Sequence, residues 1–281
     1  MKSINLHSLP AEKPVEYINN LALSNPKLAG EMALQLFCTP SADRAYSKRE
    51  EVILSESVMK RYKVQDFEVQ TYRWPGEGKR VLLMHGWDDN SMRWRPIISL
   101  LKSEGFDILA IDAPAHGKSG NKIAHGILYA ASSNVVAEDY KPDIVIAHSF
   151  GGLAASYNFG KTANQEIEKM ILLAAPSELE TSFKTFYKNY GISEVTQKAV
   201  AKVFADLFEF DINCFATSDF VKNISAQGLI IHDEMDSVVP LSEAYDIHRG
   251  WSESELMVTQ NLGHSLQAPS IFHKILDFCC S

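Results

Sequence analysis

The sequence predicts an α/β fold with a mostly parallel, doubly wound central sheet, and three observations carry that prediction. Short apolar runs recur along the chain: Val81-Leu82-Leu83-Met84, Ile108-Leu109-Ala110-Ile111, Ile144-Val145-Ile146-Ala147, Met170-Ile171-Leu172-Leu173, Leu229-Ile230-Ile231 and Leu256-Met257-Val258. Runs so short and so apolar suit strands buried on both faces of a parallel sheet. Segments of helical length and pattern separate them, Arg95 to Glu104 and Gly151 to Lys161 among them, and such alternation implies flanking helices. Polar and glycine-bearing stretches directly follow the runs, where open α/β sheets bind their ligands.

Ahead of the sheet, residues 1 to about 63 read as an N-terminal helical extension. Val15, Ile18, Leu21 and Leu23, then Leu28, Met32, Leu34 and Leu36, have helical spacing, and Asn25-Pro26 divides them into two helices. Ser41 to Lys60 reads as a third helix. No motif marks this segment, which serves as a packing element or as an interface, a homodimer face being one form of it. From Val64 the texture changes, and Phe67 to Trp74 alternates like a half-buried strand ended by Pro75-Gly76. Between the run ending near Ala175 and the one starting near Gly228 lie about 50 residues, too many for a plain connection. They include Phe183, Phe186, Tyr187, Tyr190, Phe204, Phe208, Phe210, Phe215 and Phe220, which suits a helical insertion with its own core. The expected division is 1–63 for the extension, 64–176 with 227–281 for the sheet domain, and 177–226 for a helical cap.

A chain of 281 residues with 46% apolar content suits one α/β domain with an insertion, or two domains at most. No apolar run reaches ten residues, so no membrane span is expected. The first residues lack an apolar stretch of signal-peptide length, which points away from export by that route. A net charge of −8 without any basic run of five residues excludes the electrostatic footprint of nucleic-acid binding. Cys38, Cys214, Cys279 and Cys280 lack metal or redox spacing, and free thiols fit a reducing cytoplasm. With no phosphate loop and no spaced metal-ligand set, no cofactor is implied.

The chemistry gathers at the run ends. Residues 143–152 read Asp-Ile-Val-Ile-Ala-His-Ser-Phe-Gly-Gly, the shape of a nucleophile elbow with Ser149 at the apex of a strand-to-helix turn. Such a turn admits only small residues two positions either side, and Ala147 and Gly151 meet that demand, although glycine is usual at the first. Further on, Asp233-Glu234-Met235-Asp236 follows the Leu229 run, and Leu262-Gly263-His264-Ser265 follows the last. Serine, acid and histidine in that order, each just past a strand, match the order of α/β-hydrolase triads.

From about Val64 to the C-terminus the chain resembles the α/β-hydrolase fold superfamily, specifically its capped, carboxylesterase-like serine hydrolases. Five motifs carry the resemblance, in the family's order: His85-Gly86-Trp87, Asp112-x-Pro114-x-His116-Gly117-x-Ser119, Ala147-His148-Ser149-Phe150-Gly151, Asp236-x-x-Val239-Pro240, and Gly263-His264. The resemblance implies Ser149 as nucleophile, His264 as general base and then general acid, and Asp236 as the group that holds the imidazole tautomer. It also implies an oxyanion hole from the backbone N–H groups of Trp87 and Phe150. Trp87 and His148 are the expected substrate contacts, and the substrate is a small-molecule ester or thioester.

Plainer accounts compete at several positions. His148 lies inside the elbow, pointing away from the serine, so it does not serve as the base. His85 and His116 brace loops, His232 packs within a strand, and Asp233 rivals Asp236 as the acid. Serine at the elbow disfavours epoxide hydrolase and haloalkane dehalogenase chemistry, which the family performs with aspartate. The same triad also serves acyl transfer, perhydrolysis or C–C hydrolysis, and a non-catalytic ligand-binding protein can retain the fold.

Overall fold

The computed structural model describes residues 4–41, 46–161 and 166–281. In chain order its elements are α1 (Pro14–Leu21), α2 (Pro26–Cys38), α3 (Lys48–Ser55), β1 (Val58–Val64), β2 (Phe67–Trp74), β3 (Arg80–Met84), α4 (Arg95–Ser103), β4 (Asp107–Ile111), α5 (Gly126–Tyr140), β5 (Ile144–His148), α6 (Phe150–Lys161), β6 (Lys169–Leu173), α7 (Leu179–Tyr190), α8 (Glu194–Phe208), α9 (Thr217–Phe220), β7 (Gln227–Asp233), α10 (Leu241–Gly250), β8 (Ser254–Thr259) and α11 (Pro269–Cys280). They form two compact units, Met1–Thr39 with Glu178–Ala216, and Pro40–Ser177 with Thr217–Ser281. Among the described residues no helix is long and apolar enough to cross a membrane.

The larger unit is built on one eight-stranded sheet in the order β1-β2-β4-β3-β5-β6-β7-β8. From β4 to β8 every pairing is parallel, while β1 and β2 close one edge in antiparallel register. Each expected apolar run is a strand; β3 to β7 are buried on both faces, whereas β8, at the sheet edge, is only partly covered and leaves Glu255 and Val258 exposed. Leu82, Met84, Leu109, Ile111, Val145 and Leu172 pack on one side with Tyr129, Val136 and Ala137 of α5, Ala154 of α6 and Ile247 of α10. Val81, Leu83, Ile108, Ile146, Ile171 and Ile231 pack on the other with Ile97 and Leu101 of α4 and Ile271 and Ile275 of α11. Alternate residues of β3 to β7 therefore feed two separate cores, which is why these strands have no polar face. After β3 the chain steps outward to β4 and then returns past β3 to β5. That reversal leaves a crevice at the carboxyl ends of β3 and β5, the preferred ligand site of such sheets.

β1 departs from expectation, since it occupies the end of the segment read as helical. Its exposed Val58, Met59, Lys60, Arg61 and Lys63 resemble a solvated helix face, and only Tyr62 and Val64 are buried. The strand is set by the hairpin to β2, which turns through Gln65-Asp66 with Gln65 at φ 54°. Lysine and arginine on an edge strand also discourage pairing with other chains. Of the expected third helix, α3 covers Lys48–Ser55, and its first part at 42–45 lies outside the described residues.

The smaller unit joins the N-terminal helices to most of the insertion. Phe37 of α2 stacks on Phe183 of α7 at 4.1 Å and meets Phe186 edge-on at 5.3 Å, and Phe183 meets Phe204 of α8 at 6.0 Å. Asn19 of α1 clamps the turn between α7 and α8. Its Nδ2 donates to the Gly191 carbonyl, and its Oδ1 accepts from Ser193 N–H and Thr196 Oγ1, all at 2.9 Å. The insertion expected over 177–226 ends sooner in contact terms. Val221, Ile224 and Ala226 join the core of the sheet unit, and Phe220 meets Tyr157 of α6 at 5.0 Å. All four cysteines are free thiols.

Candidate functional site

β5 ends at His148, and α6 begins at Phe150, so Ser149 alone makes the turn. Its φ is 49°, a left-handed conformation that costs a non-glycine residue about 1 kcal/mol or more and holds only where neighbours enforce it. Ser149 N–H donates to the Leu173 carbonyl at 2.8 Å, and Gly152 N–H donates to Ser149 O at 2.8 Å. Gly151 is obligatory, because a Cβ there would lie 2.4 Å from the Met84 carbonyl oxygen. Ala147 is tolerated where glycine is usual, since its methyl is fully buried in the core beside α5 and α6.

Three of the expected residues meet in one line. Ser149 Oγ lies 2.9 Å from His264 Nε2, and His264 Nδ1 lies 2.8 Å from Asp236 Oδ2. Asp236 Oδ1 accepts from Val238 N–H at 2.8 Å and Val239 N–H at 2.9 Å. Burial alone would raise the Asp236 pKa, but the hydrogen bonds from His264, Val239 and Val238 hold it below the usual aspartate range. An ionised Asp236 requires a proton on His264 Nδ1, which leaves Nε2 free to accept from the serine. Asp233 accepts instead from Met235 N–H, Thr259 Oγ1 and Leu262 N–H, so it ties the β7 and β8 loops together. His232 packs within β7 as expected and is fully buried, with Nε2 2.9 Å from the Val239 carbonyl and 3.4 Å from Asp236 Oδ2.

The loop after β3 is held by two histidines. His85 Nε2 accepts from Ala113 N–H at 2.9 Å, so Nδ1 carries the proton and donates to the Gly86 carbonyl at 2.7 Å. Because the peptide is planar, fixing Gly86 C=O turns Trp87 N–H to the opposite side. His116 Nε2 accepts from Asp88 N–H at 3.1 Å, and its Nδ1 donates to Pro114 O at 2.8 Å. Phe150 is the first residue of α6, where an N–H has no intrahelical acceptor. The half-buried Trp87 ring meets Phe150 and His116 edge-on, both at 5.3 Å.

His148 does not occupy the substrate-facing position expected of it. Its side chain is almost wholly buried, and its Nε2 is engaged by the His264 carbonyl at 2.9 Å. Strand alternation gives the reason, since neighbouring residues at the end of β5 project to opposite sides.

The profile of the alpha/beta hydrolase fold family matches residues 79–218. A serine hydrolase-like protein of Danio rerio is 31% identical over 132 residues, which are 44% of this chain and 40% of that protein. The pimeloyl-[acyl-carrier protein] methyl ester esterase of Vibrio vulnificus is 22% identical over 254 residues, 72% of this chain and 95% of that one. Among solved structures, an esterase of Pyrococcus furiosus superposes with a TM-score of 0.64 at 22% identity, over 86% of this chain and 96% of its own. An esterase from Exiguobacterium antarcticum does so with a TM-score of 0.61 at 17% identity, over 80% of this chain and 100% of its own. With the sheet order, the strand-end placement of Ser149 and the matched profile together, the chain belongs to the α/β-hydrolase fold superfamily.

Proposed function

We propose that this protein is a serine hydrolase that cleaves a small or medium, mostly apolar carboxylic ester or thioester through an acyl-enzyme. The observation that carries the reading is the unbroken hydrogen-bonded line from Ser149 Oγ through His264 to Asp236. Ser149 Oγ attacks the substrate carbonyl carbon while its proton passes to His264 Nε2. The C=O bond gives its electron pair to oxygen, and the oxyanion meets the N–H groups of Trp87 and Phe150. Loss of one such donor costs about 3 kcal/mol of transition-state stabilisation. The tetrahedral centre collapses, the C–O or C–S bond breaks, and His264 returns the proton to the leaving alcohol or thiol. Water then repeats the sequence, with His264 as base, and releases the acid and the free serine. Asp236 keeps Nδ1 protonated and stabilises the imidazolium at each stage. The aromatic rings of Trp87 and Phe150, the two residues whose N–H groups meet the oxyanion, favour an apolar acyl group, and the Vibrio protein and the Pyrococcus structure that this chain resembles are both named as esterases.

Ser149→Ala provides the test, with p-nitrophenyl esters of graded chain length and a fluorophosphonate probe. The parent is expected to turn over and to be labelled at Ser149, and the variant to do neither. Equal activity in parent and variant would remove Ser149 as nucleophile. Binding of esters by an unlabelled, inactive parent would point to a non-catalytic role.

A further inference from the structure

His148 is a chemistry-bearing side chain at the site for which the proposed reaction has no use. It sits at the end of β5, directly before Ser149, and is 4% exposed. Its Nε2 is 2.9 Å from the His264 carbonyl oxygen, and a carbonyl can only accept, so Nε2 carries the proton and Nδ1 is bare. Nδ1 is buried without a hydrogen-bond partner. It rests against Gly86, where a Cβ would sit 2.6 Å from Nδ1 and 3.2 Å from Ser149 Cβ. The His148 and His264 ring centroids are 5.0 Å apart. One ring thus touches the residue carrying the base, the turn carrying the serine and the loop leading to Trp87.

The next carbonyl of the same loop is also gripped from inside. Arg93 Nη2 donates to Ser265 O, and its Nη1 lies 3.1 Å from Asp89 Oδ2, with the arginine side chain 6% exposed. The loop needs such grips because it has no regular structure, and it turns through positive φ at Asn261, Gly263 and Leu266. Burial, then Arg93 and His264, push the His148 pKa well below the ordinary histidine value, which keeps the ring neutral and its tautomer fixed.

We propose that His148 is a positioning residue that sets the place of His264 relative to Ser149 by donating from Nε2 to the His264 carbonyl. Nucleophile and base are then located by adjacent residues of one turn. The inference rests on the serine-hydrolase reading above. Its test compares His148→Gln, whose Nε2 reaches the same distance and donates, with His148→Leu and His148→Asn, which fill the space without reaching the carbonyl. Leu and Asn are expected to lower kcat for a short p-nitrophenyl ester by roughly 10- to 100-fold with KM within about twofold, as for a base displaced by up to about 1 Å. Fluorophosphonate labelling should slow in proportion, and Gln should recover kcat to within about threefold of the parent. Asn serves where Leu does not fold. Parent-like kcat in Leu or Asn, or a Gln variant as impaired as they are, overturns the proposal. Should the parent neither hydrolyse nor label, the serine-hydrolase reading fails, and crystal structures of the Asn and Gln variants still decide the placement. His264 Nε2 retained within hydrogen-bond distance of Ser149 Oγ in His148→Asn overturns it.

Discussion

Asp236 and Asp233 are three residues apart, both sheltered and both holding loops, yet only Asp236 faces an imidazole. Their different surroundings predict different responses to substitution. Asp236→Asn preserves shape and the oxygen that accepts from Val238 and Val239 N–H. Opposite His264 Nδ1 it offers an amide in place of a carboxylate, so the ring turns to the tautomer that carries its proton on Nε2 and cannot accept from Ser149. By the logic of serine triads, kcat for ester hydrolysis should fall about 10,000-fold while KM and thermal midpoint stay near those of the parent. A loss smaller than about tenfold in steady-state kinetics would take Asp236 out of the line and return attention to Asp233.

Helices α2 and α8 show the same economy at the scale of elements. Gly30 lies where they cross, and a Cβ there would sit 2.6 Å from Ala199 O and 3.0 Å from a Val203 methyl carbon. Gly30→Ala gains about 1 kcal/mol of helix propensity and meets an overpacking cost of about 1–3 kcal/mol against backbone that cannot step aside. Net destabilisation of about 1 kcal/mol is expected, read as a lower thermal midpoint, and a raised midpoint would show that the crossing is loose. Sequence periodicity does not reveal this partnership. The split at Asn25-Pro26 was legible because asparagine caps α2 through Leu28 N–H and proline opens it. That α2 pairs with a helix about 170 residues later was not, because a long-range contact leaves no local pattern. The parallel strands were legible because two-sided burial makes them uniformly apolar. β1 was not, because an exposed edge keeps its charges and its Gln65-Asp66 turn lacks the usual Asn-Gly signal. Ser149, His264 and Asp236 could be read from their order past strands, whereas the hydrogen bond from His148 to the His264 carbonyl could not, because its acceptor lies on a loop 116 residues further along the chain.

Across the whole molecule, the number of histidines kept neutral in its interior sets its response to acid. Burial, then His85, pushes His116 down to about 4, and burial pushes His125 to about 4 as well. His148 and His232 are lowered too, by burial first. In the unfolded chain each titrates near 6.5, so between about 6.5 and 4 the unfolded state binds protons that the folded state refuses. Stability is therefore complete above 6.5 and drains as pH falls toward 4. For His116 that span amounts to about 3 kcal/mol at the bottom of the window. Asp143, Asp233 and Asp236, whose pKa values are lowered despite their burial, add their loss only as pH falls below about 4. Asp112 opposes the trend, because burial raises its pKa against the hydrogen bonds from Ser91 and Tyr46. Several histidines share one window, so urea midpoints are expected to drop steeply between pH 7 and 4.5. His125 caps α5 by accepting from Leu128 N–H, a role asparagine fills without titrating. His125→Asn should hold the midpoint at pH 7 and flatten its fall toward pH 4.5. A parent midpoint unchanged between pH 7 and 5, or a variant slope equal to the parent's, would mean that these imidazoles take up protons in the folded protein.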